Sequence, residues 1–423
     1  MLSREDNERL VRVGRGTPTG ELFRRYWQPA CLSSELAKPD CPLIRVRLLG
    51  EDLIAFRDTK GRVGLVEAYC PHRRAPLFFG RNEECGLRCV YHGWKFDVEG
   101  NCLDLPSEPE TSPMKAEVKL PAYPVVEKAG VIWAYLGPKE KMPAPPDYEW
   151  TRAPATHRFV SKTYEQCNYL QALEGGLDTA HSSFLHNLKL SDKLAFRQRD
   201  RAPNLEVERT DYGYYYVSTR KAGADGSYVR VYHYVMPFQQ MRGGVQGLLY
   251  GSNSRPKLDG HLWVPIDDEQ TNVYNWCYSA DPAWPISEDM AEEFEHHSGR
   301  GKDDLIPGTF KLKRNPSNDY LIDRDVQRTT TFTGIDGVNT QDFAIQECMG
   351  PITDRSKEYL GTTDRAIVTL RRMLLEAVAA AARGETPPGA DPATHRNIRP
   401  YDGLVPPGGN WRETFADQLV CKW

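Results

Sequence analysis

Residues 70–97 read CPHRRAPLFFGRNEECGLRCVYHGWKFD, and the rest of the chain is best read outward from them. Cys70-Pro-His72 and Cys89-Val-Tyr-His92 each bring a thiol and an imidazole close together, with sixteen residues between the two clips. Zinc accepts such a donor set in a tetrahedral site. So does a [2Fe-2S] cluster, with two Cys on one iron and two His on the other. One residue of each type per clip suits the cluster well. Taken singly, each also reads as a buried cysteine or a surface histidine. Cys85 and Cys102 fall outside both clips and read as structural thiols.

Short alternating runs surround the clips. IRVRLLGEDLIAFRDTKGRVGLVEAYC (44–70) predicts two or three strands, with turns at GED and DTKGR. CVYHGWKFDVEGNCLDL (89–105) turns at Glu99-Gly100-Asn101, and VVEKAGVIWAYLG (125–137) at Lys128-Ala129-Gly130. A small all-β domain is expected over 27–145, followed by a proline-rich linker within 137–150. Residues 1–26 are expected to pack on the second domain.

That domain, 150–423, opens with a strand-like segment near Thr156. From Tyr164 to His186, apolar residues recur at helical spacing, interrupted by Gly175 and Gly176. Strands are expected at 204–210, 212–220, 228–238 and 271–280, and a long helix ends at Gly384. Ser287 to Arg328 is polar and reads as loop-rich. The fold class is α+β, with an antiparallel sheet and packed helices.

The chain has 423 residues, 40% hydrophobic and 26% charged, and a formal charge of −4. That balance argues against a nucleic-acid binder or a membrane-surface protein. The apolar stretch Ala366 to Ala382 contains Arg371, Arg372 and Glu376, so it reads as an amphipathic helix and not a membrane span. The first residues lack the apolar core of a signal peptide, and the ten cysteines do not resemble a disulfide framework. A bacterial-type cytoplasmic protein is expected. GRGTPTG (14–20) does not follow a strand and gives no dinucleotide fingerprint.

Residues 168–186 read NYLQALEGGLDTAHSSFLH. Asp178 and His181, three apart, can share a helix face, and His186 converges with His181 only across a bend. Two His and one carboxylate form the facial triad of non-haem Fe(II) oxygenases. Alone, such a His pair is as readily a solvated surface.

CPHRRAPL and CVYHGWKFD resemble the two cluster loops of Rieske oxygenases. Asp-x-x-His-x4-His after Asn-x-x-Gln-x-x-Glu is similar to the catalytic domain of Rieske non-haem iron oxygenase α subunits. MLSREDNERLVRVGRGTPTGELFRRYWQPA, LQALEGGLDTAHSSFLH and RSKEYLGTTDRAIV resemble the phthalate dioxygenase-like branch, with its chlorobenzoate and phenoxybenzoate dioxygenases. The resemblance implies a β-sheet Rieske domain joined to a helix-grip catalytic domain. It implies a Rieske [2Fe-2S] cluster on Cys70, His72, Cys89 and His92, and a mononuclear Fe(II) on His181, His186 and Asp342. Asp336 and Glu347 compete with Asp342 for the third position, and Asp342 also reads as a helix N-cap. Asp178 takes the family's bridging role, coupling the iron to a cluster histidine of a neighbouring subunit. Homotrimers or stacked trimers without a β subunit are implied, as is a separate reductase carrying FMN and a plant-type [2Fe-2S] cluster and using NADH.

The expected reaction adds O2 to a carboxylated arene. An arginine suits the carboxylate because its planar fork makes two hydrogen bonds. Arg242, after a strand and beside Gly243-Gly244, is the first choice, with Arg209, Arg220 and Arg230 as alternatives. Mono-oxygenation, for example O-demethylation of an aromatic acid, is the alternative on the same iron. An Fe-S electron carrier and a zinc-structured binding module are the readings from other classes.

Overall fold

The computed structural model describes residues 2–192, 195–243 and 257–423. The chain divides into two units, Val13–Pro145 and the remainder, Met1–Arg12 with Pro146–Trp423.

Among the described residues, the Val13–Pro145 unit is built from short antiparallel sheets. Trp27–Leu32, Val131–Tyr135 and Val125–Lys128 form one. Ile44–Leu48, Glu51–Arg57 and Val63–Glu67 form a second. The third runs through Arg81–Glu83, Gly86–Arg88, Lys95–Phe96 and Cys102–Asp104. Alternating residues of these strands, including Ile54, Phe56, Val66 and Leu87, bury one core. The turn expected at GED lies one step earlier, at Leu49-Gly50, because both take positive φ and Glu51 already pairs with Leu48. Ala129-Gly130 turns as expected, also at positive φ.

Residues 13–26 group with this unit, whereas the sequence reading placed them with the second domain. Arg24 supplies the physical reason. It is buried, donates to the Val13 and Leu49 carbonyls at 3.2 and 3.3 Å, and pairs with Glu51 at 2.6 Å. Only the first twelve residues, with helix Arg4–Val11, group with Pro146–Trp423.

That second unit is organised by an antiparallel sheet. Its strand order is Arg158–Glu165, Thr271–Ser279, Lys257–Pro265, Gln239–Gly243, Ser227–Val235, Gly213–Lys221, Asn204–Arg209, and Tyr401–Val405 also pairs with Ser227–Val235. Helix Tyr169–Leu177 packs on strands Lys257–Pro265 and Gln239–Gly243 and on helix Val338–Cys348; helix Arg365–Ala382 packs on Asn204–Arg209.

The helix expected from Tyr164 is confined to Tyr169–Leu177, since residues up to Glu165 pair with the strand Thr271–Ser279. The polar region 287–328 is less loop-like than expected. Ser287 and Asp323 cap helices Glu288–His297 and Arg324–Thr329 through their side-chain oxygens. Among the described residues, no helix is long and apolar enough to cross a membrane.

Candidate active site

In the Val13–Pro145 unit, the two clips adopt the same backbone ring. Cys70 N–H donates to Ala75 O and Arg74 N–H returns to Cys70 O, both at 2.9 Å. Cys89 N–H likewise donates to Trp94 O at 2.8 Å, and Gly93 N–H to Cys89 O at 3.0 Å. Arg74 and Gly93, the fifth residue of each ring, are left-handed. A Cβ on Gly93 would stand 2.5 Å from Pro106 Cγ, so glycine is required there.

Both cysteines are buried, and the rings of His72 and His92 meet edge-on at 4.4 Å. His72 stacks on Trp94 at 4.3 Å. Its buried Nδ1 has no hydrogen-bond partner. Burial, with the Cys89 thiol beside it, pushes the Cys70 thiol up to about 11. Two crowded thiols ionise readily only against a cation, and an orphaned imidazole nitrogen needs a partner. A [2Fe-2S] cluster meets both demands, so the donor set fits it. Cys102 packs on the same core and Cys85 sits at a hairpin turn, as structural thiols do.

The second unit gathers the other candidate ligands. Asp178 follows helix Tyr169–Leu177 and accepts from Ala180 N–H at 2.7 Å, which starts a tight turn through His181–Ser183. The turn supplies the bend that a five-residue spacing demands. His181 Nε2 and His186 Nε2 stand 3.1 Å apart. Asp342 Oδ1 lies 3.3 Å from His186 Nε2 and 3.7 Å from His181 Nε2. Among the described residues, this is the group of His, Cys, Asp and Glu side chains close enough to share a metal ion. Burial works to raise the Asp342 carboxyl, but His186 and His181 outweigh it and hold it below the usual range. An anionic oxygen and two imidazole nitrogens in this arrangement fit a mononuclear Fe(II) with positions left open.

The competitors lie elsewhere. Asp336 is exposed and pairs with Arg314 at 3.1 Å. Glu347 accepts from Gln166 N–H at 2.7 Å and from Tyr320 OH. Asp342 sits inside helix Val338–Cys348 and not at its N-cap, which is Gly337.

The Asn-x-x-Gln-x-x-Glu stripe is an anchor. Asn168 donates to the carbonyls of Val11 and Asp268 at 3.0 and 2.6 Å. Gln171 donates to those of Gln346 and Gly350 at 2.9 and 2.7 Å. Glu174 pairs with Arg371 at 2.6 Å and Arg355 at 3.0 Å. Together they tie helix Tyr169–Leu177, which leads into the His181 turn, to the first helix, the Asp342 helix and the long C-terminal helix. Gly175 and Gly176 permit the close packing, because a Cβ would stand 2.0 Å from Gln346 Nε2 or 2.1 Å from Trp263.

A cavity of about 690 Å³ opens onto the cluster; its walls include His181, His186, Asp342, Arg230, Arg242 and Trp263. Arg242 is paired across the strands with Asp259, which outweighs the effect of burial and raises its pKa. Gly244 of its glycine pair lies outside the described residues. Arg230 stacks over Tyr232 at 4.8 Å and donates to Gly243 O at 3.1 Å. Arg220 faces the ligand turn, donating to Thr179 O at 2.7 Å and Ser183 Oγ at 3.0 Å. Arg209 is exposed and pairs with Glu376.

Several neighbours escaped the sequence reading. His261 also lines the cavity, with Nδ1 at 2.7 Å from Asn275 Oδ1; burial, then Arg242 and Arg300, hold it well below the usual histidine range. Asn339 reaches Asp342 Oδ2 at 3.4 Å, and Gln341 reaches His186 Nδ1 at 2.8 Å. Their proximity to Asp342 in NTQDF was the available signal.

Comparison with known proteins gives concordant matches. The Rieske [2Fe-2S] domain family matches residues 26–124, and the family described as LigXa C-terminal domain like matches residues 134–421. The phthalate 4,5-dioxygenase oxygenase subunit of Pseudomonas putida is 39% identical, over 98% of this chain and 95% of that protein. The 3-chlorobenzoate-3,4-dioxygenase oxygenase subunit of Comamonas testosteroni is 37% identical over 99% of each. Among solved structures, an NdmA mutant of Pseudomonas putida CBB5 with caffeine has a TM-score of 0.62 at 20% identity. It covers 90% of this chain and 96% of that one, a likeness of fold.

Proposed function

This chain belongs to the family of Rieske non-haem iron oxygenases, as an oxygenase subunit, and from that premise we propose that it oxygenates a carboxylated arene of the phthalate or substituted-benzoate type. One observation carries the substrate class: Arg242 lies in the wall of the cavity onto which His181, His186 and Asp342 also open. Arg242 is the first contact for the carboxylate and Arg230 the second, each offering a planar fork. Trp263 and Phe294 give the ring an apolar wall.

The family carries a Rieske [2Fe-2S] cluster and a mononuclear iron. We assign the cluster to Cys70, His72, Cys89 and His92 in a domain over 27–145, and the iron to His181, His186 and Asp342 in a catalytic domain over 150–423. When bound, the two groups supply single electrons and activate O2 beside the substrate. The protein holds, orients and excludes water around the ring. Asp178, fixed by Ala180 N–H, lies with Oδ2 at 3.6 Å from His181 Nδ1 and orients that ligand. We assign Asp178 the electron bridge between subunits of a homotrimer or stacked trimer.

Oxygenase subunits work with a separate source of electrons. The partner proposed is a reductase with FMN and a plant-type [2Fe-2S] cluster, using NADH, and the proposed location is the cytoplasm.

A single turnover of chemically reduced protein under 18O2, against substituted benzoates and phthalates, tests the reading. Two labelled oxygens in a diol are expected. Formaldehyde released from a methoxy acid, with no label in the phenol left behind, would assign O-demethylation instead, because the O2-derived oxygen enters the methyl carbon. No product from any acid would overturn the aromatic-acid reading. Arg242→Leu is expected to raise KM for the carboxylated substrate about a hundredfold, since it leaves one charge of the pair without its partner. An unchanged KM would remove Arg242 from the substrate site.

A further inference from the structure

We propose that Gln341 is a positioning residue for the mononuclear iron site: its side-chain amide locks His186 in the tautomer that presents Nε2 to the metal. The inference rests on the assignment of His186 as an iron ligand.

Gln341 is 0% exposed and sits one residue before Asp342 on helix Val338–Cys348. Its Nε2 donates to the Ile335 carbonyl at 2.8 Å. A carbonyl can only accept, so this bond settles which way round the amide lies. Oε1 therefore faces His186, 2.8 Å from Nδ1. An amide oxygen also only accepts, so Nδ1 must carry the ring proton and Nε2 keeps its lone pair. That nitrogen is the one 3.1 Å from His181 Nε2 and 3.3 Å from Asp342 Oδ1. Two acceptor-only atoms, Ile335 O and then Gln341 Oε1, thus dictate the ligand's tautomer.

His181 is oriented differently, by the Asp178 carboxylate. A carboxylate behind an imidazole strengthens its donation more than a neutral amide does. The two histidines are therefore unequal ligands, His181 charge-supported and His186 held by a neutral dipole. Because Gln341 and Asp342 are adjacent, one helical step delivers a ligand and the support of another. Asn339, a turn earlier, accepts from Arg300 at 2.6 Å and holds the second Asp342 oxygen. Displacing this helix would disturb two of the three ligands together.

The test uses the full chain with Gln341→Met, which keeps the volume but loses the acceptor, and Gln341→Glu, which keeps an acceptor. Fe(II) affinity of the mononuclear site is measured by competition with a chelator, the visible spectrum of the Rieske cluster serving as internal reference. Proton NMR of the Co(II)-substituted protein follows the exchangeable His186 Nδ1–H. The methionine variant is expected to bind Fe(II) about tenfold to a hundredfold more weakly and to lose the Nδ1–H signal to exchange. The glutamate variant keeps an acceptor toward Nδ1 but sets its second oxygen against the Ile335 carbonyl, so it is expected to bind Fe(II) more weakly while retaining the Nδ1–H signal. Wild-type affinity with an unchanged Nδ1–H in the methionine variant would overturn the proposal. So would loss of the Nδ1–H signal in both variants, which would mark a packing role. His186→Ala separates the premise: if it keeps the Fe(II) site intact, His186 is no ligand.

Discussion

Asp178→Asn is expected to leave both iron centres loaded and to lower substrate-coupled turnover about a hundredfold, on the scale of losing the carboxylate behind a metal-bound histidine. The amide has the same shape and keeps the bond from Ala180 N–H through its oxygen, so the turn carrying His181 stays formed. The three ligand side chains are untouched. What disappears is the negative charge and, with it, the acceptor 3.6 Å from His181 Nδ1, where the amide now turns its NH2. Burial acts to raise the Asp178 carboxyl, but the bond to His181 outweighs it, so the group is held below the usual range and is ionised at neutral pH. Without that charge the His181 ring is a poorer donor, and the proposed contact to a neighbouring subunit's cluster histidine has no acceptor anion. Iron content, the cluster spectrum and NADH-coupled product formation check it. Wild-type turnover would refute the bridge.

Glu174→Gln is expected to destabilise the unit containing residues 146–423 by about 3–5 kcal/mol, the cost of breaking a buried ion pair from one side. Glu174 stands between two buried guanidiniums, Arg355 and Arg371, of which only Arg371 has another carboxylate, Glu358, at 2.6 Å. Burial alone would raise its pKa; the two arginines outweigh burial and lower it. A lowered pKa in the folded state means the stabilisation is present above the ordinary glutamate range. It is lost as pH falls through the folded value. Glutamine does not titrate, so the gap between wild type and variant closes on acidification. Denaturant unfolding at pH 7 and at successively lower pH, carried well below the ordinary glutamate range, measures it, and a gap that persists unchanged throughout would contradict the assignment. Arg355 also donates to Asn7 at 3.1 Å, so the variant loosens the first helix as well.

Much of the candidate site was legible because Cys and His pairs and tight turns leave local marks. Both clips and the Asp178–His186 run stand at recognisable spacings, Asp342 was indicated only by the family resemblance, and the turn at Ala129-Gly130 lies where the sequence placed it. Strand Lys257–Pro265 was not legible. Its Asp259 and His261 line the cavity and break the apolar alternation that signals a strand. Gln239–Gly243 failed for a related reason, since Gln240 and Arg242 serve the cavity. The Asn168–Gln171–Glu174 stripe is polar yet buried. Its partners lie a hundred or more residues away, as in the 181-residue separation of Glu174 and Arg355, and pattern reading cannot reach them. The placement of residues 13–26 follows in part from Arg15 and Arg24, which both pair with Glu51 and which local charge does not distinguish from their neighbours.

The paired backbone rings around Cys70 and Cys89 bear on the speed of electron movement. Each loop is closed by its own amide hydrogen bonds, backed by Trp94 under His72 and Pro106 against Gly93. A frame fastened in this way has little freedom to respond when charge arrives or leaves. Polar groups already in place need not reorganise at the moment of transfer. Stiffness in these few residues would therefore lower the reorganisation that accompanies each electron moving through a cluster held there, and the tight turns would act on rate as well as on shape.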